Sequence, residues 1–130
     1  MQKIRNAIFL IMAVGFVCLG ANASTFTNPL NDTLGADPWL EYYNGNYYLA
    51  STTWTNKIYM KKASTIEGLK TAQAVEIWDG ANDNASRCCN MWAFEFRLLN
   101  GPNGPRWYFH YSAGVQGNLD GQRMHVLESS

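Results

Sequence analysis

Basic residues are not in excess in this 130-residue sequence. Ten lysines and arginines balance ten aspartates and glutamates, and residues 24–130 alone carry eight basic and ten acidic residues, a net charge of −2. A domain that binds nucleic acid shows a basic patch or stripe, because contacts to phosphates supply much of its affinity. The composition gives no support for such a role, and no nucleic-acid partner is expected.

Cysteine is scarce as well, and Cys88 and Cys89 are the two that lie outside the N-terminal leader. Adjacent cysteines rarely bond to each other because the closed ring is strained. Two thiols without a histidine at ligand spacing make a poor zinc site. His110 and His125 lie in predicted strands of alternating pattern, where a histidine is more often a structural residue of the sheet than a metal ligand. We expect buried thiols, or one thiol paired with a cysteine beyond residue 130, and no metal or cofactor.

A long membrane-spanning run is also absent. A positively charged start, an uncharged apolar run over residues 7–20 and the small residues Ala21-Asn22-Ala23 follow one another in the order of a secretory signal peptide. The run is too short for a comfortable membrane span. Cys18 raises the alternative of lipidation, but Val17 stands where a lipid-attachment site has a small residue. Residues 1–23 are predicted to be a signal peptide and the protein to be secreted, extracellular or periplasmic, with no membrane attachment after cleavage.

The remaining chain is rich in strand-like segments. Short runs of aromatic and β-branched residues predict strands over residues 38–43, 46–52, 57–63, 74–78, 91–99, 106–112 and 122–128. Asn44-Gly45 is a strong hairpin signal, because both residues accept the positive φ of a type I′ turn. Residues 100–105 predict a loop, and only residues 64–71 predict a helical turn. The sequence therefore predicts an all-β fold.

The strand groups repeat. The hairpin that contains Glu41 is echoed 54 residues later by the one that contains Glu95. Antiparallel units that repeat about every 50 residues are typical of propeller blades. We expect blade one over about residues 37–80 and a partial blade two over about residues 90–130. Fewer than two blades cannot close a ring, so residues 24–130 are expected to be the N-terminal part of a longer propeller.

Three motifs carry a resemblance to a known family. They are Ala36-Asp37-Pro38-Trp39 ahead of the predicted hairpin, the segment over residues 58–69, and Met91-Trp92-Ala93-Phe94-Glu95. Their order resembles the opening of glycoside hydrolase family 43, and the pattern is closest to arabinofuranosidases acting on arabinan or arabinoxylan. The resemblance implies a five-bladed β-propeller. In the third motif, which resembles the family's Trp-Ala-Pro-Glu at the start of the second blade, Phe94 stands in the place of the proline.

The resemblance also implies that Asp37 is the general base of an inverting hydrolysis. Inversion needs two carboxylates about 6.5–9.5 Å apart, with a water between one of them and the sugar. Asp37 is expected at the start of an innermost strand, with Pro38 biasing it toward an extended backbone. The dipeptide alone also fits a surface turn. No motif here matches the family's other two acids, so residues 24–130 alone are expected to be inactive.

Two tryptophans are candidates for contact with the sugar. Trp54 is expected at the mouth of the funnel, where it stacks on a sugar ring or packs at the rim, and Trp92 is expected at the floor of the site. Glu95 is not assigned as an acid, because a glutamate at a strand start more often bonds to neighbouring backbone.

The function expected from this reading is the removal of L-arabinofuranosyl units from plant polysaccharides or oligosaccharides by an inverting exo-acting enzyme. Xylosidase and endo-arabinanase specificities are variants within the same class. A non-catalytic carbohydrate-binding propeller or lectin-like module is the alternative from a different class. The Ala36-Asp37-Pro38-Trp39 setting favours the enzyme.

Overall fold

The computed structural model of the chain describes residues 25–82 and 87–129, and the predicted signal peptide lies outside these residues. Seven antiparallel strands build the described chain: β1 (Trp39–Tyr43), β2 (Asn46–Ala50), β3 (Lys57–Ala63), β4 (Val75–Asp79), β5 (Cys89–Gly101), β6 (Gly104–Val115) and β7 (Asn118–Glu128). Within these residues the helical segments are two short 3₁₀ turns, Glu67–Lys70 and Gly80–Asn82. No helix in the described ranges has the length and apolarity needed to cross a membrane. The all-β prediction is confirmed.

The first sheet has the strand order β1-β2-β3-β4, so each strand lies beside its neighbour in the chain. Tyr43 pairs with Asn46 at the end of the first hairpin. The two residues between them, Asn44 and Gly45, have φ values of +48° and +78°. The predicted hairpin is present because these two residue types adopt positive φ at the lowest steric cost.

The second sheet has the order β5-β6-β7, and it corrects one prediction. The loop expected over residues 100–105 is wrong, because β5 and β6 continue through it until Gly101 pairs with Gly104. Only Pro102 and Asn103 form the turn. Gly104 follows the turn with a φ of +90°, which glycine adopts without the clash that a Cβ atom brings.

The hydrophobic core joins the two sheets, and half of its eight buried members are aromatic. Its buried members come from β2, β3, β5 and β6: Ala50, Ile58, Met91, Phe94, Phe96, Phe109, Tyr111 and Ala113. Trp39 packs against this cluster, and its indole N–H donates to the Phe96 carbonyl at 3.0 Å. Burying each large side chain stabilises the fold by about 1.5–3 kcal/mol. This contact sets β1 beside β5 and so fixes where the residues before β1 lie relative to the second sheet.

Candidate active site

Asp37 precedes the first strand instead of opening it. β1 begins at Trp39, Asp37 is exposed, and its φ is +47°. The prediction that Pro38 keeps Asp37 extended is therefore wrong. Aspartate tolerates the left-handed region better than most residues, because its short polar side chain can form hydrogen bonds locally. Asp37 therefore has an unusual backbone conformation, which the surrounding structure must hold in place.

Thr52, two residues after β2, holds this segment with two hydrogen bonds. Its N–H donates to the Ala36 carbonyl at 2.9 Å, and its hydroxyl donates to Asp37 Oδ2 at 2.8 Å. Thr52 is 0% exposed. An ionised carboxylate accepts hydrogen bonds at both oxygens. One bond at Oδ2 leaves the carboxylate with further capacity to accept from a water molecule, and more of that capacity is at Oδ1.

The Thr52 hydroxyl also reaches the second sheet. Its oxygen accepts from the Ala93 N–H of β5 at 3.1 Å, since a hydroxyl has one proton to donate and two lone pairs. One buried oxygen therefore connects Asp37 with β5. Thr52 was not predicted from the sequence as a site residue. The local signal is a run of three hydroxyl residues, Ser51-Thr52-Thr53, directly after β2. All three are buried.

Trp54 and Trp92 come together beside this link. Their ring centroids lie 5.0 Å apart with an interplanar angle of 38°, and Trp54 is 48% exposed. The backbone N–H of Trp54 donates to the Met91 carbonyl at 3.2 Å, and the Met91 N–H donates to the Thr55 carbonyl at 3.1 Å. These two bonds fix the loop after β2 against the start of β5. The exposed indole of Trp54 is thus backed by a second aromatic ring.

The start of β5 is irregular on both sides of Trp92. Its pairing with β6 shifts register between Cys89 and Trp92, and again between Trp92 and Glu95. Asn90 and Ala93 have φ values of +54° and +52°. Bulges re-aim side chains and are frequent beside active sites, and non-glycine residues with positive φ cluster at functional sites. This irregular part of β5 contains Ala93, which bonds to Thr52, and Trp92, which packs against Trp54.

Glu95 does not join Asp37. Its carboxylate forms an ion pair with the Arg97 guanidinium two residues further along β5. That guanidinium also lies over the Trp39 ring, 4.7 Å from the centroid. We expected Glu95 to bond to neighbouring backbone, but its partner is the Arg97 side chain. Alternate residues of a strand share a face, which brings the arginine within reach. Its exclusion as a catalytic acid agrees with this pairing.

Cys88 and Cys89 form a disulfide with each other, with their Cα atoms 3.7 Å apart. The prediction of two free thiols, or of pairing with a distant cysteine, is therefore wrong. Adjacent residues within a regular strand point to opposite faces. The bond forms here because Cys88 lies in a bend before the strand and Cys89 is its first residue.

A cluster of charged and polar side chains supports the ends of β3 and β4. Asp79 Oδ1 accepts from the Ala81 N–H at 2.8 Å and from Asn56 Nδ2 at 3.1 Å. The Ala81 N–H, together with Lys57, holds the pKa of Asp79 below its ordinary value. Hydrogen bonds to Glu76 and Asp79 raise the pKa of Lys57 above its ordinary value. All of these contacts favour the ionised forms.

Comparison with known proteins finds relatives of this chain. The chain is 34% identical over 107 residues to an extracellular exo-α-(1→5)-L-arabinofuranosidase of Streptomyces avermitilis, an alignment that covers 81% of this chain and 21% of that protein. It is 30% identical over 110 residues to α-L-arabinofuranosidase 43 of Humicola insolens, covering 82% of this chain and 22% of that protein. The chain thus spans about a fifth of the length of these curated relatives.

Solved structures give the same result for the fold. The crystal structure of an α-L-arabinofuranosidase from Lactobacillus brevis superimposes with a TM-score of 0.68 and 26% identity, covering 81% of this chain and 33% of that one. An arabinanase from Bacillus subtilis superimposes with a TM-score of 0.50 and 16% identity, covering 76% and 34%. Both are five-bladed β-propellers, so the two sheets are the first one to two blades of such a propeller. The sequence profile of glycosyl hydrolases family 43 matches residues 26–130, and the chain belongs to that family.

Proposed function

We propose that this propeller removes L-arabinofuranosyl units from plant cell-wall polysaccharides by an inverting hydrolysis in which Asp37 is the general base. The observation that carries the proposal is the Asp37 carboxylate, held at Oδ2 by the hydroxyl of the buried Thr52 at 2.8 Å. Thr52 lies two positions before the exposed Trp54 in the chain. The arabinofuranosidases among the relatives support the choice of sugar.

Asp37 acts on water in this mechanism. Its Oδ1 accepts a proton from a water molecule as that water attacks the anomeric carbon on the face opposite the departing oxygen. A second carboxylic acid gives its proton to the departing oxygen as the glycosidic bond breaks. The products are a free arabinose of inverted configuration and the shortened polysaccharide.

We do not assign the second acid to Glu95, because its carboxylate forms an ion pair with Arg97. We assign the proton donor to a carboxylate from a later blade, about 6.5–9.5 Å from Asp37 across the cleaved bond. Blade one then extends over about residues 37–80, and blade two begins at about residue 90. Asp37 and the general acid face each other across the central funnel of the closed ring.

Trp54 and Trp92 bind the sugar in this proposal. The Trp54 indole, exposed and backed by Trp92 at 5.0 Å, offers the apolar face that a sugar ring stacks on. Trp92 supports it from the first part of β5. We also propose that residues 1–23 direct export, since two relatives are named as extracellular enzymes and a polysaccharide substrate lies outside the cell.

Proton NMR of arabinotriose hydrolysis by the full-length protein tests the proposal. An inverting enzyme acting on an α-linked arabinofuranoside releases the β-anomer first, and the α-anomer grows in later by mutarotation. A para-nitrophenyl β-D-xylopyranoside, offered in parallel, tests the xylosidase variant. Initial release of the α-anomer contradicts inversion, and absence of arabinose release contradicts the function.

A further inference from the structure

Cys88 and Cys89 close the shortest loop that a disulfide can close, because they are neighbours in the sequence. Cys88 lies in the bend before β5, and Cys89 is the first residue of that strand. Both cysteines line a pocket of about 430 Å³ that opens to solvent, and Cys88 is only half-buried. Disulfides that solvent reaches are reduced more readily than buried structural ones. The proposed hydrolysis gives this bond no role.

The Cys88–Cys89 bond contributes little to the stability of the whole fold. A disulfide stabilises a protein mainly by restricting the unfolded chain, and the effect grows with the length of the loop that it closes. The loop here has the minimum length, and β5 is also held by its pairing with β6 from Cys89 to Gly101. Reduction is therefore expected to leave the two sheets in place.

The bond imposes an irregular backbone on the start of β5. Neighbouring residues of a regular strand point to opposite faces of the sheet, whereas the bond holds the sulfur atoms of Cys88 and Cys89 together. Directly after it, Asn90 has a φ of +54°, and the pairing with β6 shifts register between Cys89 and Trp92. Once the bond is broken, the two side chains can separate, and a second arrangement of this segment opens. A change of oxidation state at such a pair is a local event that a two-state element can report elsewhere.

Met91 connects this segment with the loop that carries Trp54. Met91 is 0% exposed and lies two positions after Cys89. Its N–H donates to the Thr55 carbonyl at 3.1 Å, and its carbonyl accepts from the Trp54 N–H at 3.2 Å. A change in the backbone at Cys89 therefore reaches Trp54 through two hydrogen bonds of one buried residue.

Gly80 gives a second connection, because it packs against the backbone of Cys88. A Cβ atom at Gly80 would lie 3.1 Å from the Cys88 carbonyl oxygen and 2.6 Å from Met91 Cε, so the space between them holds no side chain. The Gly80 N–H donates to the Asn56 carbonyl at 2.8 Å. Both connections therefore end in the loop after β2, within two positions of Trp54.

We propose that the Cys88–Cys89 disulfide is a redox-sensitive clamp on the Trp54–Trp92 pair, whose ring centroids lie 5.0 Å apart. The oxidised bond holds the start of β5 so that the two indoles keep this packing, and reduction by a dithiol releases it. The effect on hydrolysis rests on the proposed function, because that function assigns the tryptophan pair to the sugar. The effect on the packing of the pair does not.

The reduction is an ordinary thiol–disulfide exchange. One thiolate of the dithiol attacks a sulfur of the Cys88–Cys89 bond, expels the other cysteine as a thiolate and forms a mixed disulfide. The second thiolate of the reductant then breaks the mixed disulfide. Cys88 and Cys89 gain two electrons and two protons in total, and the dithiol leaves as its own disulfide.

Reversible reduction of the full-length protein tests the clamp. Dithiothreitol is the reductant, alkylation with intact-mass analysis measures how many cysteines it reduces, and reoxidation in air after its removal re-forms the bond. The variant with both Cys88→Ala and Cys89→Ala is the matched control. It cannot form the bond, but it retains any other effect that the reductant has on the protein.

Tryptophan fluorescence reports the packing of the pair without requiring activity. Reduction is expected to shift the emission of the wild type, because the indole of Trp54 changes its contact with Trp92, and reoxidation is expected to reverse the shift. Trp54→Phe is expected to lose most of the shift, and the double alanine variant is expected to show none. The Tm of the reduced wild type is expected to fall by no more than about 4 °C, since the bond closes a minimal loop.

Hydrolysis of an aryl α-L-arabinofuranoside is the second measurement. Reduction is expected to lower kcat/KM about two- to tenfold, the effect of losing one aromatic contact. The double alanine variant is expected to show the value of the reduced wild type, with or without dithiothreitol.

The outcomes separate this inference from the proposed function. If the fully reduced protein keeps its emission and its kcat/KM, the clamp is wrong and the hydrolytic function stands. The clamp is also wrong if dithiothreitol leaves the bond intact in the folded protein, if reduction unfolds the protein, or if the shift persists in Trp54→Phe. A reversible Trp54 shift in a protein that hydrolyses nothing supports the clamp and contradicts the proposed function.

Discussion

Replacing Thr52 by valine separates the positioning of Asp37 from the binding of sugar. Valine keeps the shape of threonine and removes the hydroxyl that donates to Asp37 Oδ2 at 2.8 Å and accepts from the Ala93 N–H at 3.1 Å. Thr52 is 0% exposed, so water cannot simply replace the lost group. Leaving a donor such as the Ala93 N–H without its partner costs about 1–3 kcal/mol.

The effect on turnover follows from the same contact. Without its donor the Asp37 carboxylate can rotate, and a displacement of about 1 Å at a reacting group lowers the rate by up to about 10²-fold. Because Thr52 is 0% exposed, we expect it to make no contact with a bound sugar, so that KM stays within about twofold while kcat falls about 10- to 10²-fold.

Thr52→Ser is the matched control. It keeps the hydroxyl and loses one methyl group, at a cost of about 0.8 kcal/mol or somewhat more from the cavity, and its kcat is expected to stay near that of the wild type. Urea unfolding of the full-length protein gives the stability of each variant, and hydrolysis of an aryl arabinofuranoside gives kcat and KM. Wild-type kcat in Thr52→Val, or an equal loss of kcat in Thr52→Ser, would show that the Thr52 hydroxyl does not position Asp37.

Three further predictions concern other parts of the chain. Intact-mass analysis after alkylation without a reductant is expected to find Cys88 and Cys89 unmodified, and alkylation of both contradicts the disulfide. The secreted protein is expected to begin at Ser24, and N-terminal sequencing that finds Met1 contradicts cleavage. Because the folded state lowers the pKa of Asp79 below its ordinary value of 3.8, its ionised form stabilises the fold. The advantage of the wild type over Asp79→Asn in Tm is then present above about pH 4 and lost as the pH falls through the lowered pKa. A difference in Tm that stays constant down to about pH 2.5 contradicts this.

Features set by local rules were predictable from the sequence. The hairpin at Asn44 and Gly45 follows from the positive φ that its turn needs, and the strand predicted over residues 57–63 is β3 (Lys57–Ala63). The resemblance in the Asp37 motif indicated the family that the profile confirms. These signals involve neighbouring residues or ordered motifs, so a single sequence contains them.

Features set by distant contacts were not predictable. Thr52 and Ala93 are separated by 41 positions, and only the packing of two sheets brings them together. The positive φ of Asp37 goes against the local preference that Pro38 imposes, and the hydroxyl that binds the Asp37 carboxylate comes from Thr52, 15 positions away. Hydrophobic periodicity likewise does not report bulges, because the extra residue in each breaks the alternation on which that signal depends.

In the proposed mechanism Asp37 takes the proton from water. Asp37→Asn keeps the size and can still hold a water, but it cannot accept the proton, and general base catalysis contributes about 10²–10⁴-fold. In the full-length protein we predict that kcat for an aryl arabinofuranoside falls by at least about 10²-fold, with KM and Tm nearly unchanged. Glu95→Gln is the control, because it removes a carboxylate that is paired with Arg97. This variant is expected to keep most of the wild-type turnover. Near-normal turnover in Asp37→Asn, or a loss of activity that comes only from unfolding, contradicts the role of general base and leaves Asp37 as a structural turn residue.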